Sequence, residues 1–224
     1  FISFLQGYVS MKTFSFALFA SLFSGYLFAN PVATHIKKLD DSNWIVEYSA
    51  PKAVEKLVFR RNPNQSRAKR WTPTSGDFVI GFEDGKEIIK RKDGKPFTTS
   101  TFQLTPTYTP LPKDYAPFSP FSDGGMLIHS GRFFVCANEC AKDFNHWGIA
   151  LTAPEHDNVI VNGSVFKGST SWSDMNSGRK VYVGAGKPIQ DDYFLSVVDK
   201  RLPAVLASQM AEQLPGLMEY FSKK

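Results

Sequence analysis

A chain of 224 residues in which 42% are hydrophobic and 14% aromatic can build a proper core for one large or two small domains. Its net charge of +5 is scattered along the chain. The basic runs Arg60-Arg61, Arg67 to Arg70 and Lys90 to Lys92 alternate with acidic residues, which makes them a solvated face or the guard of a strand edge and excludes nucleic acid as a partner.

The first methionine is Met11, so residues 1–10 read as translation upstream of the true start or as a clipped gene model. From Met11 the order is a cation, Lys12, then an apolar run over 14–23, then a cleavage zone ending at Ala29. That order is a secretory signal peptide. A membrane anchor is the competing reading, but a spanning helix needs about 20 apolar residues, and Ser21, Ser24 and Gly25 interrupt this run. Residues 1–29 are therefore expected to be removed, leaving a chain exported to the periplasm or the extracellular space with no stable membrane span.

Residues 30–198 carry short β-type runs separated by turn residues, which predicts a mostly β fold, a β-sandwich-like antiparallel domain. Residues 43–48 and 54–59 are rich in aromatic and β-branched side chains, and each reads as a strand. Residues 78–82 and 87–90 flank Asp84-Gly85, a hairpin turn, and Asp93-Gly94 closes the next strand in the same way. Residues 97–104 alternate like a half-buried strand. Residues 105–120 hold Pro106, Pro110, Pro112, Pro117 and Pro120, so this stretch is expected as loop. Residues 124–129 and 132–135 read as two strands around Ser130-Gly131. Residues 147–151, 158–161 and 164–167 continue the series, the last two as a hairpin over Asn162-Gly163. The Asn162-Gly163-Ser164 sequon is read as that turn rather than as a glycan site. Gly184 to Pro188 hints at a phosphate loop, but Pro188 follows Lys187 where a helix should open, so it too is a turn.

The two cysteines, Cys136 and Cys140, lie close together, and in an exported protein such a pair is expected as a disulfide. Zinc would need more ligands than this pair and His146 supply, and a Cys-His nucleophile is disfavoured by the pairing itself. The remaining binding candidates are aromatic. Trp71, Trp172, Tyr108 and Tyr115 could line a platform for carbohydrate or peptide, because flat rings give contact area at small entropic cost. Trp44 and Trp147 read as core, whereas Trp71 and Trp172 stay open between core and platform.

Residues 199–224 change character. Leu202, Val205, Leu206, Met210, Leu214, Leu217, Met218 and Phe221 recur at spacings of three and four, the stripe of an amphipathic helix. Asp199 is placed to cap it, Pro203 suits its first turn, and Pro215 is expected to end or kink it. The stripe has no following element to cover it, so the segment reads as the start of a further domain in a truncated sequence.

Phe- and Thr-rich strands, then Tyr182-Val183-Gly184, Asp192-Tyr193-Phe194, Leu202-Pro203 and Leu214-Pro215-Gly216-Leu217 resemble the N-terminal β-domain and first helix of gluzincin metallopeptidases, notably the glycyl-aminopeptidase-like group. The resemblance implies a non-catalytic domain that supports or lines a peptide-binding cleft ahead of a thermolysin-like domain. No His-Glu-x-x-His occurs, and His35, His129, His146 and His156 are isolated from one another, so no catalytic or metal residue carries over and zinc is expected only in a missing catalytic domain. The alternative is a free-standing exported β-sandwich module that binds a carbohydrate or protein ligand.

Overall fold

The computed structural model describes residues 32–61, 66–110, 115–142, 144–175, 177–190 and 194–223. The signal-peptide reading of residues 11–29 and its cleavage point lie outside the described residues. Among these, no helix is long and apolar enough to cross a membrane.

The chain is mostly β and largely antiparallel. A central sheet of six strands has the order Ser169–Met175, His146–Thr152, Ala33–Lys38, Trp44–Val54, Phe97–Leu104, Trp71–Pro73. Its one parallel contact joins Ala33–Lys38 to His146–Thr152. A second sheet has four strands, Val135–Ala137, Lys56–Phe59, Lys86–Arg91 and Phe78–Glu83, and a third has five, Ser164–Lys167, Asn158–Val161, Lys180–Gly184, Met126–His129 and Phe118–Pro120. Ile189–Gln190 and Leu195–Ser196 form a small separate pair.

Alternation decides which face of the central sheet is covered. Thr34, Ile36 and Lys38 are buried along one strand and Val46 and Tyr48 along the next, while the residues between them are partly open. The buried face meets the second sheet where Tyr48 lies edge-on to Phe59 at 6.4 Å, and the third where Trp44 meets Phe118 at 5.8 Å. The three sheets therefore share one continuous core. Trp44 and Trp147 belong to it, Trp147 stacked on Phe134 at 4.3 Å.

Two ion pairs are matched inside this core. Arg67 and Glu87 pair in the interior, with the guanidinium also donating to the Arg132 carbonyl at 2.9 Å and lying 4.0 Å above the Phe59 ring. Burial pulls Arg67 below its ordinary value, and Glu87 opposes that pull. Lys38 reaches Asp157 at 2.8 Å and Asp41 at 2.9 Å. Burial alone would lower its pKa, but the two carboxylates outweigh it and the net direction is upward.

Several local expectations meet the structure directly. Asp84 and Gly85 (φ 48° and 76°) turn the hairpin between Phe78–Glu83 and Lys86–Arg91, and Asn162 and Gly163 (φ 56° and 71°) turn the one between Asn158–Val161 and Ser164–Lys167. Positive φ at both central residues matches the twist of the flanking strands, which is why Asp-Gly and Asn-Gly sit there.

Others are corrected. Asp93-Gly94 makes no hairpin, because Lys86–Arg91 and Phe97–Leu104 belong to different sheets. Ser130-Gly131 lies in a short 3-10 helix, Ser130–Arg132, and the strands either side go to the third and second sheets. The proline-rich stretch contains a brief edge strand, Phe118–Pro120, in which Pro120 stands opposite Met126 at the margin where a missing N–H costs least. Trp71–Pro73, Ser169–Met175 and the helix Arg67–Arg70 were not expected as elements.

The C-terminal helix is Ala204–Ser222, and it runs through Pro215 without ending. Asp199 does not cap it. Its carboxylate instead accepts from the Ser122 hydroxyl at 2.6 Å, the Ser122 amide at 2.8 Å and the Arg201 amide at 2.8 Å, pinning the approach to the helix onto the Ser122 turn. Those donors, the Ser122 hydroxyl foremost, hold the Asp199 carboxyl well below the usual carboxylate range.

Candidate functional site

The four aromatic candidates are not assembled into one platform. Trp71 is 6% exposed, stacked on Phe133 at 5.6 Å and edge-on to Phe59 at 5.4 Å, so its ring is spent on the core. It borders a cavity of only about 20 Å³ with Arg67 and Arg132, room for about one water. Trp172 is half-buried on the outermost strand of the central sheet, its indole N–H donating to Asp174 at 2.9 Å. Tyr108 is 58% exposed in the proline-rich segment. Tyr115 is 57% exposed, stacked on the buried His129 at 4.9 Å with the Lys180 ammonium 5.0 Å from its ring centre. Burial first and Arg132 second lower the Lys180 pKa.

Cys136 and Cys140 are joined, with their Cα atoms 5.1 Å apart. The closed ring holds Asn138 in a left-handed conformation (φ 59°). From there its side-chain oxygen accepts the amides of Glu55 (2.9 Å) and Lys56 (3.3 Å), while its own amide donates to the Lys56 carbonyl at 2.8 Å. The disulfide loop is thus fastened to the second sheet at both chemistry and backbone.

That loop forms one wall of a cleft of about 370 Å³, within the range of small-ligand sites. Val58 and Ile88, cross-strand partners on the outward face of the second sheet, make its floor. Asn138 and Glu139 stand on the disulfide side, and Glu83, Asp84 and Lys86 of the hairpin turn on the other, with Lys56 between. Glu83 is shared by Lys56 at 3.1 Å and Lys90 at 2.5 Å, and Lys90 foremost lowers its pKa. Val58 and Ile88 are nearly closed off from solvent, so the surface the cleft presents is mainly its polar and charged rim. Sequence reading found the cysteines but not the cleft. Val58 and Ile88 look like ordinary strand residues, and only their cross-strand pairing shows that they share the outward face.

Among the described residues no group of three or more His, Cys, Asp or Glu side chains is placed to hold an ion. His35 is bonded to Thr152 at 2.8 Å and His156 lies 3.6 Å from Asp157, at separate positions in the fold.

No protein-family model matches the chain, and no curated protein matches it. Among solved structures it is similar to an M1 zinc metallopeptidase from Deinococcus radiodurans, with 10% identity and a TM-score of 0.39 over 77% of this chain and 48% of that one. A mutant of an M1 zinc metallopeptidase from the same organism, bound to a Tyr-Ser-Ala substrate, gives 11% identity and a TM-score of 0.36 over the same shares. The chain spans about half the length of these structures, and a likeness this weak assigns no activity.

Proposed function

We propose that this chain is a non-catalytic β-domain of an exported zinc-aminopeptidase-like protein, in which it supports or lines a peptide-binding cleft. One observation supports the reading above the others. The helix Ala204–Ser222 leaves Val205, Leu206, Met210, Leu217, Met218, Tyr220 and Phe221 exposed, Phe221 by 67%. A surface helix normally buries its apolar stripe, and an apolar patch of this extent marks contact with another folded surface. In this reading a further domain covers the helix, and any zinc belongs to that domain. The cleft beside the disulfide favours a second reading, a free-standing exported module whose ligand, carbohydrate or protein, meets the polar rim of Lys56, Glu83, Lys86 and Asn138.

Changing Leu217 and Phe221 together to serine separates the two. If the helix is a docking element, the double variant should be more soluble, bind less hydrophobic dye and keep its Tm. A fall in Tm of many degrees would make the helix part of this domain's own core and favour the free-standing module. The chain from Asn30 should also show no aminopeptidase turnover and hold no zinc after dialysis. One zinc per chain by metal analysis would overturn that expectation.

A further inference from the structure

The outer edge of the central sheet carries an inference that goes beyond the proposed function. Ser169–Met175 is the terminal strand of that sheet, seven residues long. Its pairing tells which backbone groups are already used. The Ala153 amide donates to the Gly168 carbonyl, and the register continues through Leu151 with Thr170, Ile149 with Trp172 and Trp147 with Asp174. In an antiparallel ladder alternate residues exchange both hydrogen bonds with the neighbour, so Thr170, Trp172 and Asp174 face inward. The amides and carbonyls of Ser169, Ser171 and Ser173 point away from the sheet. The Arg179 guanidinium, 3.5 Å from the Ser173 carbonyl on that outer side, agrees with this assignment.

Open edges are usually blunted by proline, lysine, shortness or cover, and among the described residues the other edges of the three large sheets follow that rule. Trp71–Pro73 and Phe118–Pro120 each end in proline, Val135–Ala137 runs into the disulfide, Ser164–Lys167 is short and ends in lysine, and Phe78–Glu83 lies beside the helix Arg67–Arg70. Ser169–Met175 has no proline, lysine or arginine, and its one charge, Asp174, is buried against Arg179 and Trp172. Among the described residues, Arg179 guards its Ser173 end and nothing guards the Ser169 end.

We infer that the Ser169–Ser171 edge accepts an extended segment of another polypeptide, added as a seventh strand to the central sheet. Backbone hydrogen bonds would hold the segment, and an apolar side chain on its inner face would cover the half-buried Trp172 ring, so the fitting partner alternates apolar and polar residues. A second copy of this chain fits less well. Antiparallel self-pairing about Ser171 would set Ser169 of each copy against the other's Arg179-capped Ser173, and pairing about Thr170 would set Gly168 opposite Trp172, leaving that ring without an apolar cover, whereas a separate segment can avoid the capped end and supply the side chain.

The test is amide hydrogen exchange of the chain with a capped peptide of alternating threonine and valine, and with the same peptide N-methylated at alternate residues in each register. The plain peptide should slow exchange at Ser169 and Ser171 by about tenfold or more at saturation, and at least one N-methylated form should lose the effect. Ser171→Pro removes an outward donor without touching the ladder to His146–Thr152, so it should keep the fold and abolish peptide-dependent protection at Ser169. No slowing at millimolar peptide, or equal slowing by both N-methylated forms, would overturn the inference. Concentration-dependent protection of the same amides without peptide would overturn it too, by giving the edge to a second copy. The N-methylated peptides keep the test decisive even if Ser171→Pro does not fold.

Discussion

Trp44, Tyr48, Phe59, Phe102 and Phe133 are closed off from solvent in the β-body, while Val205, Leu217, Tyr220 and Phe221 of the C-terminal helix stand largely in it. Both regions were built from the same kind of side chain. In the body, the core strands bury their apolar faces against a neighbouring sheet, and Arg67 with Glu87 and Lys38 with Asp157 are paired inside. The helix has a tether, the Asp199 link to Ser122, but little of the body to pack on. Amphipathic spacing thus specifies an element and a face, and says nothing about which surface will cover that face.

The sharpest way to break this comparison is to remove a large ring from each region. Trp44→Ala should cost about 3–5 kcal/mol because it leaves a cavity in a closed core, whereas Phe221→Ala should stay within about 0.5 kcal/mol. Denaturant titration reads both, and similar losses would erase the distinction. Glu87→Gln probes the polar part of the core. It strands a buried guanidinium, which costs about 3–5 kcal/mol, and Arg67→Met with Glu87→Leu together should recover much of that in a double-mutant cycle.

A smaller effect belongs to the disulfide. Its cysteines are four residues apart, so the ring constrains little unfolded-state entropy, and Cys136→Ser with Cys140→Ser should cost about 2 kcal/mol or less. The same pair should release the Asn138 loop, giving faster amide exchange at Glu55 and Lys56. The smallest effect is the response to acid of the tether that leads into the helix. Because the Asp199 carboxyl is depressed in the folded chain, its contribution is complete above the unfolded aspartate pKa of about 4 and is lost as pH falls through the lower folded value. The Ser122 and Arg201 amide resonances should therefore hold steady from neutral pH to about pH 4 and move only below it, and Asp199→Asn should remove that titration.

How much of this was legible in the sequence depended on whether the deciding interaction was local. Asp84-Gly85 and Asn162-Gly163 declared their hairpins because positive φ is a property of those residues themselves, and Cys136 and Cys140 lie close enough to pair within one loop. Ser169–Met175 was missed because serine and threonine fill its positions and its inner face is only half covered, so alternation of polarity is faint. The Ser130-Gly131 turn misled because a turn motif cannot say that its flanking strands leave for different sheets. Trp71 could not be resolved between core and platform until Phe59 and Phe133, distant in sequence, were seen to enclose it. The cleft was invisible for the same reason, since Val58 meets Ile88 only across a strand pair.

The claim that the body is complete in itself while the helix awaits a covering surface is tested most directly by residue-resolved hydrogen exchange of the chain. The account predicts that amides of Val46, Tyr48 and Phe102 exchange only through global unfolding, while those of the Ala204–Ser222 helix exchange orders of magnitude faster through local opening. Helix amides protected to the same degree as the central strands would contradict it.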